Sequence, residues 1–130
     1  MSAMSDYLEN KFLDHFLGTA STSAPAAVYL SLHTANPADD ASGAEVSTSG
    51  TGYVRKAIAF SAASSGSAAN SGAVEFDVAT GSWGTISHVA VFDASSGGNQ
   101  IAYAALAAAK TITTDDVLRF PAGDVDITLN

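Results

Sequence analysis

The first apolar positions along the chain fall in a helical rhythm. Leu8, Phe12 and Phe16 recur every fourth residue with Leu13 and Leu17 beside them, and Glu9, Asn10, Lys11 and Asp14 oppose them; this predicts one amphipathic helix over residues 5–17. Ser5 or Asp6 can cap it, Asp6 and Glu9 suit its positive N-terminal end, and Gly18 can close it in the left-handed conformation. Such a stripe requires a partner surface. Residues 18–25, small and polar and ending at Pro25, read as a linker.

Beyond the linker the period drops to two. Val28, Leu30 and Leu32 alternate with Tyr29, Ser31 and His33; Val74, Phe76 and Val78 with Glu75 and Asp77; Val125, Ile127 and Leu129 with Asp124, Asp126 and Thr128. Each is the pattern of a strand with one buried face. A strand over Tyr53 to Phe60 is ambiguous in facing, with Val54, Lys56, Ile58 and Phe60 on one side and Tyr53, Arg55 and two alanines on the other. Ile86 to Phe92 is apolar on both faces, which predicts a central strand, and Ile101 to Leu106 pairs with it as a hairpin across Asp93 to Asn99. The alanine-rich run from Ala102 to Ala109 has helical propensity, but its hairpin context favours strand. Lys110 to Ile112 and Val117 to Phe120 add short strands, with turns at Asp115-Asp116 and Pro121-Ala122-Gly123. Gly81, Trp83 and Gly84 form a turn with one large anchor. Asn36 to Gly43 reads as a loop, and Ser61 to Gly72, almost all Ala, Ser, Gly and Asn, as an exposed loop or extended arm.

About seven or eight short strands, at roughly eight-to-twelve-residue spacing after one helix, predict a mainly β chain. The expected architecture is a single domain over 1–130: an antiparallel β-sandwich or barrel over 26–130, preceded by the helix and linker. The 130 residues suffice for one core, yet 26 Ala, 17 Ser, 11 Gly and 11 Thr make up half of them, so that core is expected to be thin and sheet-like.

Charge and composition narrow the function. The net charge is −8, and the five cations Lys11, Arg55, Lys56, Lys110 and Arg119 are too dispersed to track phosphates, so no direct nucleic-acid binding is expected. No apolar run approaches the roughly 20 residues that span a bilayer, and the first residues show neither a basic nor a continuous apolar region, so neither membrane insertion nor a signal peptide is expected. The absence of Cys excludes disulfides, thiol catalysis and Cys-bound zinc.

Candidate chemistry is thin. His15, His33 and His88 follow no metal-ligand spacing and read as solvated or hydrogen-bonded side chains. No Ser sits in a GxSxG elbow, and Ser95-Ser96-Gly97-Gly98 lacks the Lys and helix of a phosphate loop. Asp39-Asp40, Asp115-Asp116 and Asp124 with Asp126 offer oxygen ligands but not the spacing of a calcium loop, and read as turn and strand-surface aspartates. Arg55 and Lys56 point to opposite faces and read as partner-contact or edge charges. No catalytic, cofactor-binding or metal-binding residue is predicted, and no enzyme.

An ordered set of short segments is more specific. Ser5-Asp6-Tyr7-Leu8-Glu9-Asn10-Lys11, Leu13-Asp14-His15, Leu17-Gly18, Val28 to Pro37, Glu45-Val46, Gly52 to Arg55, Phe60 to Ala63, Asn70-Ser71, Trp83 to His88 and Pro121 to Asp124 together span nearly the whole chain. In this order they resemble a family of small tailed-bacteriophage virion proteins, variously labelled tail fibre, minor tail or capsid decoration proteins. The resemblance implies a small β-rich module without known catalytic residues, built into a virion and made in the host cytoplasm. The expected function is that of a non-catalytic virion structural protein, either a capsid decoration (cement) or a fibre-attachment module. It would act as a homo-oligomer through contacts with major capsid or tail proteins. Leu8, Phe12 and Phe16 would dock the helix, and Tyr53 and Trp83 would anchor sheet packing or an interface. The alternative is a tail-fibre or tail-tip module binding host-surface glycans, with an exposed Tyr29, Tyr53 or Trp83 as the sugar platform. A carboxylate-dependent hydrolase is the remaining rival.

Overall fold

The computed structural model describes residues 2–129. Their elements are, in order, β1 (Ser2–Met4), α1 (Asp6–Phe16), β2 (Val28–His33), β3 (Lys56–Ile58), β4 (Ser67–Ala69), β5 (Val74–Glu75), β6 (Gly84–Phe92), β7 (Gln100–Ile112), β8 (Arg119–Phe120) and β9 (Asp126–Thr128). The chain is mainly β with one helix near its N-terminus, as the periodicity predicts. Five strands form an antiparallel sheet in the order β1-β7-β6-β2-β3, and two ribbons, β4-β9 and β5-β8, complete the fold. β9 runs beside β1 and β5 beside β3, so the ribbons fold back from the two edges of the large sheet and cover one of its faces, making a sandwich.

Register decides which side chains are covered. Leu30 lies opposite Val91, which lies opposite Ala102, and Leu32, Val89 and Ala104 form the next row. Residues paired across antiparallel strands share a face, so these rows point together into the core, where Leu30, Leu32, Val89 and Val91 are buried. The core is sheet-like here but thicker at one end, where four rings cluster: Tyr53 to Trp83 5.5 Å, Tyr53 to Phe76 6.1 Å, and Phe76 to Trp83 and to Phe120 6.3 Å each. The buried Trp83 indole donates to Thr51 O at 2.7 Å, which removes the cost of burying its one polar atom.

Several sequence expectations require correction. Of the strand expected over Tyr53 to Phe60, only Lys56–Ile58 pairs with β2; Tyr53 turns inward and Val54 is half exposed. Ser61 to Gly72 is not simply a loop, because Ser67–Ala69 pairs with β9 and Asn70 is buried. The expected strands at Ile101 to Leu106 and Lys110 to Ile112 are one strand, β7, which bulges: His88 lies opposite Ala105 but Ile86 opposite Lys110. Small side chains permit the bulge, since Ala107, Ala108 and Ala109 are exposed and lose nothing by leaving the sheet. β1 has no counterpart in the expectations; it adds the edge strand that leads straight into α1.

Candidate docking site

α1 is held at one end. Ser5 accepts from Leu8 N through Oγ at 3.2 Å, which caps the helix as its position predicts. The same hydroxyl donates to Gln100 O, and Ser5 N donates to Ile101 O at 3.0 Å. One small buried residue thus both starts the helix and ties it to β7. Asp6 N donates to Asp39 O at 3.2 Å, Gln100 Nε2 to Ala38 O at 2.7 Å, and the Tyr103 hydroxyl to Asp39 Oδ1. The Pro37 to Gly43 loop that supplies these acceptors is compact: a Cβ on Gly43 would lie 2.1 Å from Pro37 Cα, a spacing only glycine allows.

The far end of α1 stands away from the body. No residue of the helix is fully buried, and Phe12, Leu13, Phe16 and Leu17 expose 43, 51, 69 and 73 % of their surfaces. Taking about 150–200 Å² for each large apolar side chain, these four leave roughly 400 Å² of apolar surface uncovered, the size at which exposed patches mark interaction sites. With 100° between successive residues, the helix presents three adjoining rows. Tyr7, Lys11 and His15 form one, Leu8, Phe12 and Phe16 the crest, and Glu9, Leu13 and Leu17 the third. The Phe12 and Phe16 rings lie 4.7 Å apart and stiffen the crest. On the first row's side a groove of about 280 Å³ opens between α1 and residues 22–25, floored by Val28 and Ile101.

A second cluster is polar and internal. Glu45 accepts from Arg55 through both oxygens, Nε to Oε2 at 2.9 Å and Nη2 to Oε1 at 2.8 Å, and from the Tyr53 hydroxyl at 2.7 Å. Tyr53 in turn accepts from Leu32 N at 3.1 Å. Arg55 also donates to Ala94 O and Gly97 O and stacks 3.8 Å over the Phe92 ring. Burial alone would push the Glu45 carboxyl up, but its bonds from Arg55 and Tyr53 and the guanidinium charge hold it below the usual carboxylate range. Burial, reinforced by the Glu45 hydrogen bond, pushes the Tyr53 phenol up. His33, buried beside this cluster and stacked on Phe92, is pushed down to about 4: burial is the main cause, opposed by Glu45 and reinforced by Arg55 and His88. The donors and acceptors of Glu45, Tyr53 and Arg55 are spent on one another and on two loop carbonyls, so the cluster locks the 93–98 loop onto the sheet.

These placements separate the expected site residues. Leu8, Phe12 and Phe16 do lie together on the helix crest, with Leu8 half-buried and the two rings exposed. Tyr53 and Trp83 are 1 and 3 % exposed. Both anchor sheet packing within the chain, and neither can serve as an interface residue or a sugar platform; Tyr29 is itself half-buried on β2. Arg55 is corrected as well, its side chain being 8 % exposed in an internal ion pair, whereas Lys56 pairs at the surface with Asp77 at 2.7 Å. Among the described residues no three His, Asp or Glu side chains converge as metal ligands would. Sequence reasoning missed Ser5 as a tie to β7 and Glu45 as the partner of Arg55. Only the position of Ser5 as a cap was visible, and nothing near Glu45 marks a contact ten residues away.

A family model described as Podophage GP4 fiber I protein gp80 matches residues 3–128. No curated protein matches the chain.

Proposed function

Since the chain belongs to the Podophage GP4 fiber I protein gp80 family and is thus a structural protein of a phage virion, we propose that it is a non-catalytic fibre-attachment module. It joins a fibre to its neighbours in the virion through α1. The observation that carries this reading is the uncovered apolar crest and outer row of a helix fastened to the sheet at Ser5. A water-exposed stripe of two phenylalanines and two leucines is a standing cost to the free chain, and docking relieves it: about 400 Å² at about 25 cal/mol per Å² is worth about 10 kcal/mol before the cost of association. The rigid N-terminal tie means that little conformational entropy is lost when the helix docks. The fibre in the family's description fits this reading.

The test is incorporation. Phage carrying Phe16→Asp and Leu17→Asp, both at exposed positions, should assemble particles that lack this chain by mass spectrometry, while the purified variant keeps its circular dichroism spectrum. Full incorporation of the folded double variant would refute the reading.

A further inference from the structure

The two flanks of the crest differ in a way that suits them to each other. The groove side is apolar at Leu8, Pro25, Val28 and Ile101, its titratable side chains other than Tyr7 are Lys11 and His15, and no described carboxylate lines it. The opposite flank is a row in which Glu9, Leu13 and Leu17 follow one another at successive helical turns. One is a basic-rimmed apolar recess and the other an apolar ridge carrying one acid. Resting on the reading of α1 as the docking face, we infer that the occupant of the groove is a second copy of this chain. The Leu13 and Leu17 ridge of one copy seats in the groove of the next, with Glu9 brought to Lys11.

The contact is heterologous, because ridge and groove are different surfaces of the same helix; each copy that offers its ridge keeps its groove free, so contacts repeat from copy to copy, and the inferred assembly is the closed ring rather than the open filament such a series can also form. Its size sets its strength. Leu13 and Leu17 expose 51 and 73 % of their surfaces, about 200 Å² at about 150–200 Å² for each side chain, so with a matching area of groove one contact buries about 400 Å², far short of the roughly 1,000–1,200 Å² of a stable isolated pair. Two copies alone associate weakly, and the assembly holds because a closed ring gives every copy two contacts. Each chain carries a net charge of −8, so bulk repulsion opposes assembly and added salt strengthens it.

Sedimentation velocity of the full chain tests this. The wild type should pass from monomer to a discrete oligomer as concentration rises, and more readily at high salt. Leu13→Glu with Leu17→Glu breaks the ridge, and Lys11→Glu with His15→Glu breaks the groove entrance. All four positions are exposed, so folding should survive, as circular dichroism checks. Each double variant should remain monomeric, and their equimolar mixture should form at most a weak dimer at the highest concentrations and nothing larger, because one intact ridge then faces one intact groove. Either variant oligomerising like the wild type overturns the inference, and so does a mixture that restores the wild-type oligomer. A wild type that is monomeric at every concentration, with virion incorporation still lost in the Phe16 and Leu17 variant, overturns this inference while leaving attachment through α1 standing.

Discussion

Acidification should destabilise this fold through His33. The Ser31 hydroxyl donates to Ala90 O at 3.1 Å and therefore accepts from His33 Nε2–H at 2.9 Å, which leaves Nδ1 as the nitrogen that must take up a proton. That atom is buried and has no hydrogen-bond partner among the described residues, and the Arg55 charge lies nearby. Burial is the main cost of adding the proton, the Glu45 carboxylate offsets only part of it, and Arg55 adds to it, so the folded state holds His33 neutral down to about 4 whereas the unfolded chain protonates it near 6.5. The unfolded state then binds more protons between these values, and stability must rise with pH across that window and fall as pH drops through it. At about 1.4 kcal/mol per tenfold change in proton affinity, the loss between about pH 7.5 and about pH 4.5 is about 2–3 kcal/mol, a large share of the roughly 5–15 kcal/mol that holds a domain together. Glu45 has the opposite displacement, so its contribution is present above its unfolded value of 4.5 and is lost only below it. The interval from about 4.5 to 6.5 therefore isolates the histidine. Urea denaturation at half-unit pH steps should show the midpoint falling through this interval, and His33→Gln should flatten the slope. A flat profile in the wild type, or ring proton resonances of His33 that titrate near 6.5 by NMR, would refute the reasoning.

Arg55→Met leaves two loop carbonyls without their donor and the buried Glu45 carboxylate with the Tyr53 hydroxyl but no countercharge. It should cost about 3–5 kcal/mol by urea denaturation, and adding Glu45→Gln should recover part of that. Trp83→Ala removes the ring packed on Tyr53 and Phe76 and should cost about 3–5 kcal/mol in the same assay. Ser5→Ala removes the cap and the tie to Gln100 O together. Amide hydrogen exchange in the first turn of α1 should accelerate by about tenfold, equivalent to about 1.4 kcal/mol, with β6 unaffected.

What could be read from the sequence divides along a physical line. Periodic burial was legible: the four-residue rhythm of Leu8, Phe12 and Phe16 placed the helix within a residue of Asp6–Phe16, and the doubly apolar run into Phe92 marked a central strand, which β6 is, while its neighbour β2 on the other side was not legible. Structure built from backbone pairing and single polar side chains was not. Asn70 pins the low-complexity arm beside its pairing with β9, donating to Gly72 O and Pro121 O and accepting from Val125 N, and no hydrophobic pattern announces it. Strand β1 is three residues held by ladder bonds to β7, too short to show a period. Tyr53 and Trp83 were legible as anchors but not as buried ones, because a large ring in a turn serves a core or an interface equally well until its neighbours are known. The apolar stripe of α1 was read as needing a partner surface; in the free chain its outer part stays uncovered, which is why the proposed attachment is built on the stripe and not on the sheet.

The most direct measurement is cryo-electron microscopy of the assembled virion at a resolution that traces side chains. The account predicts density for this chain at the fibre, with α1 at a subunit boundary and Phe16 and Leu17 covered by protein. Density in which the sheet makes the contacts and α1 faces solvent would contradict it.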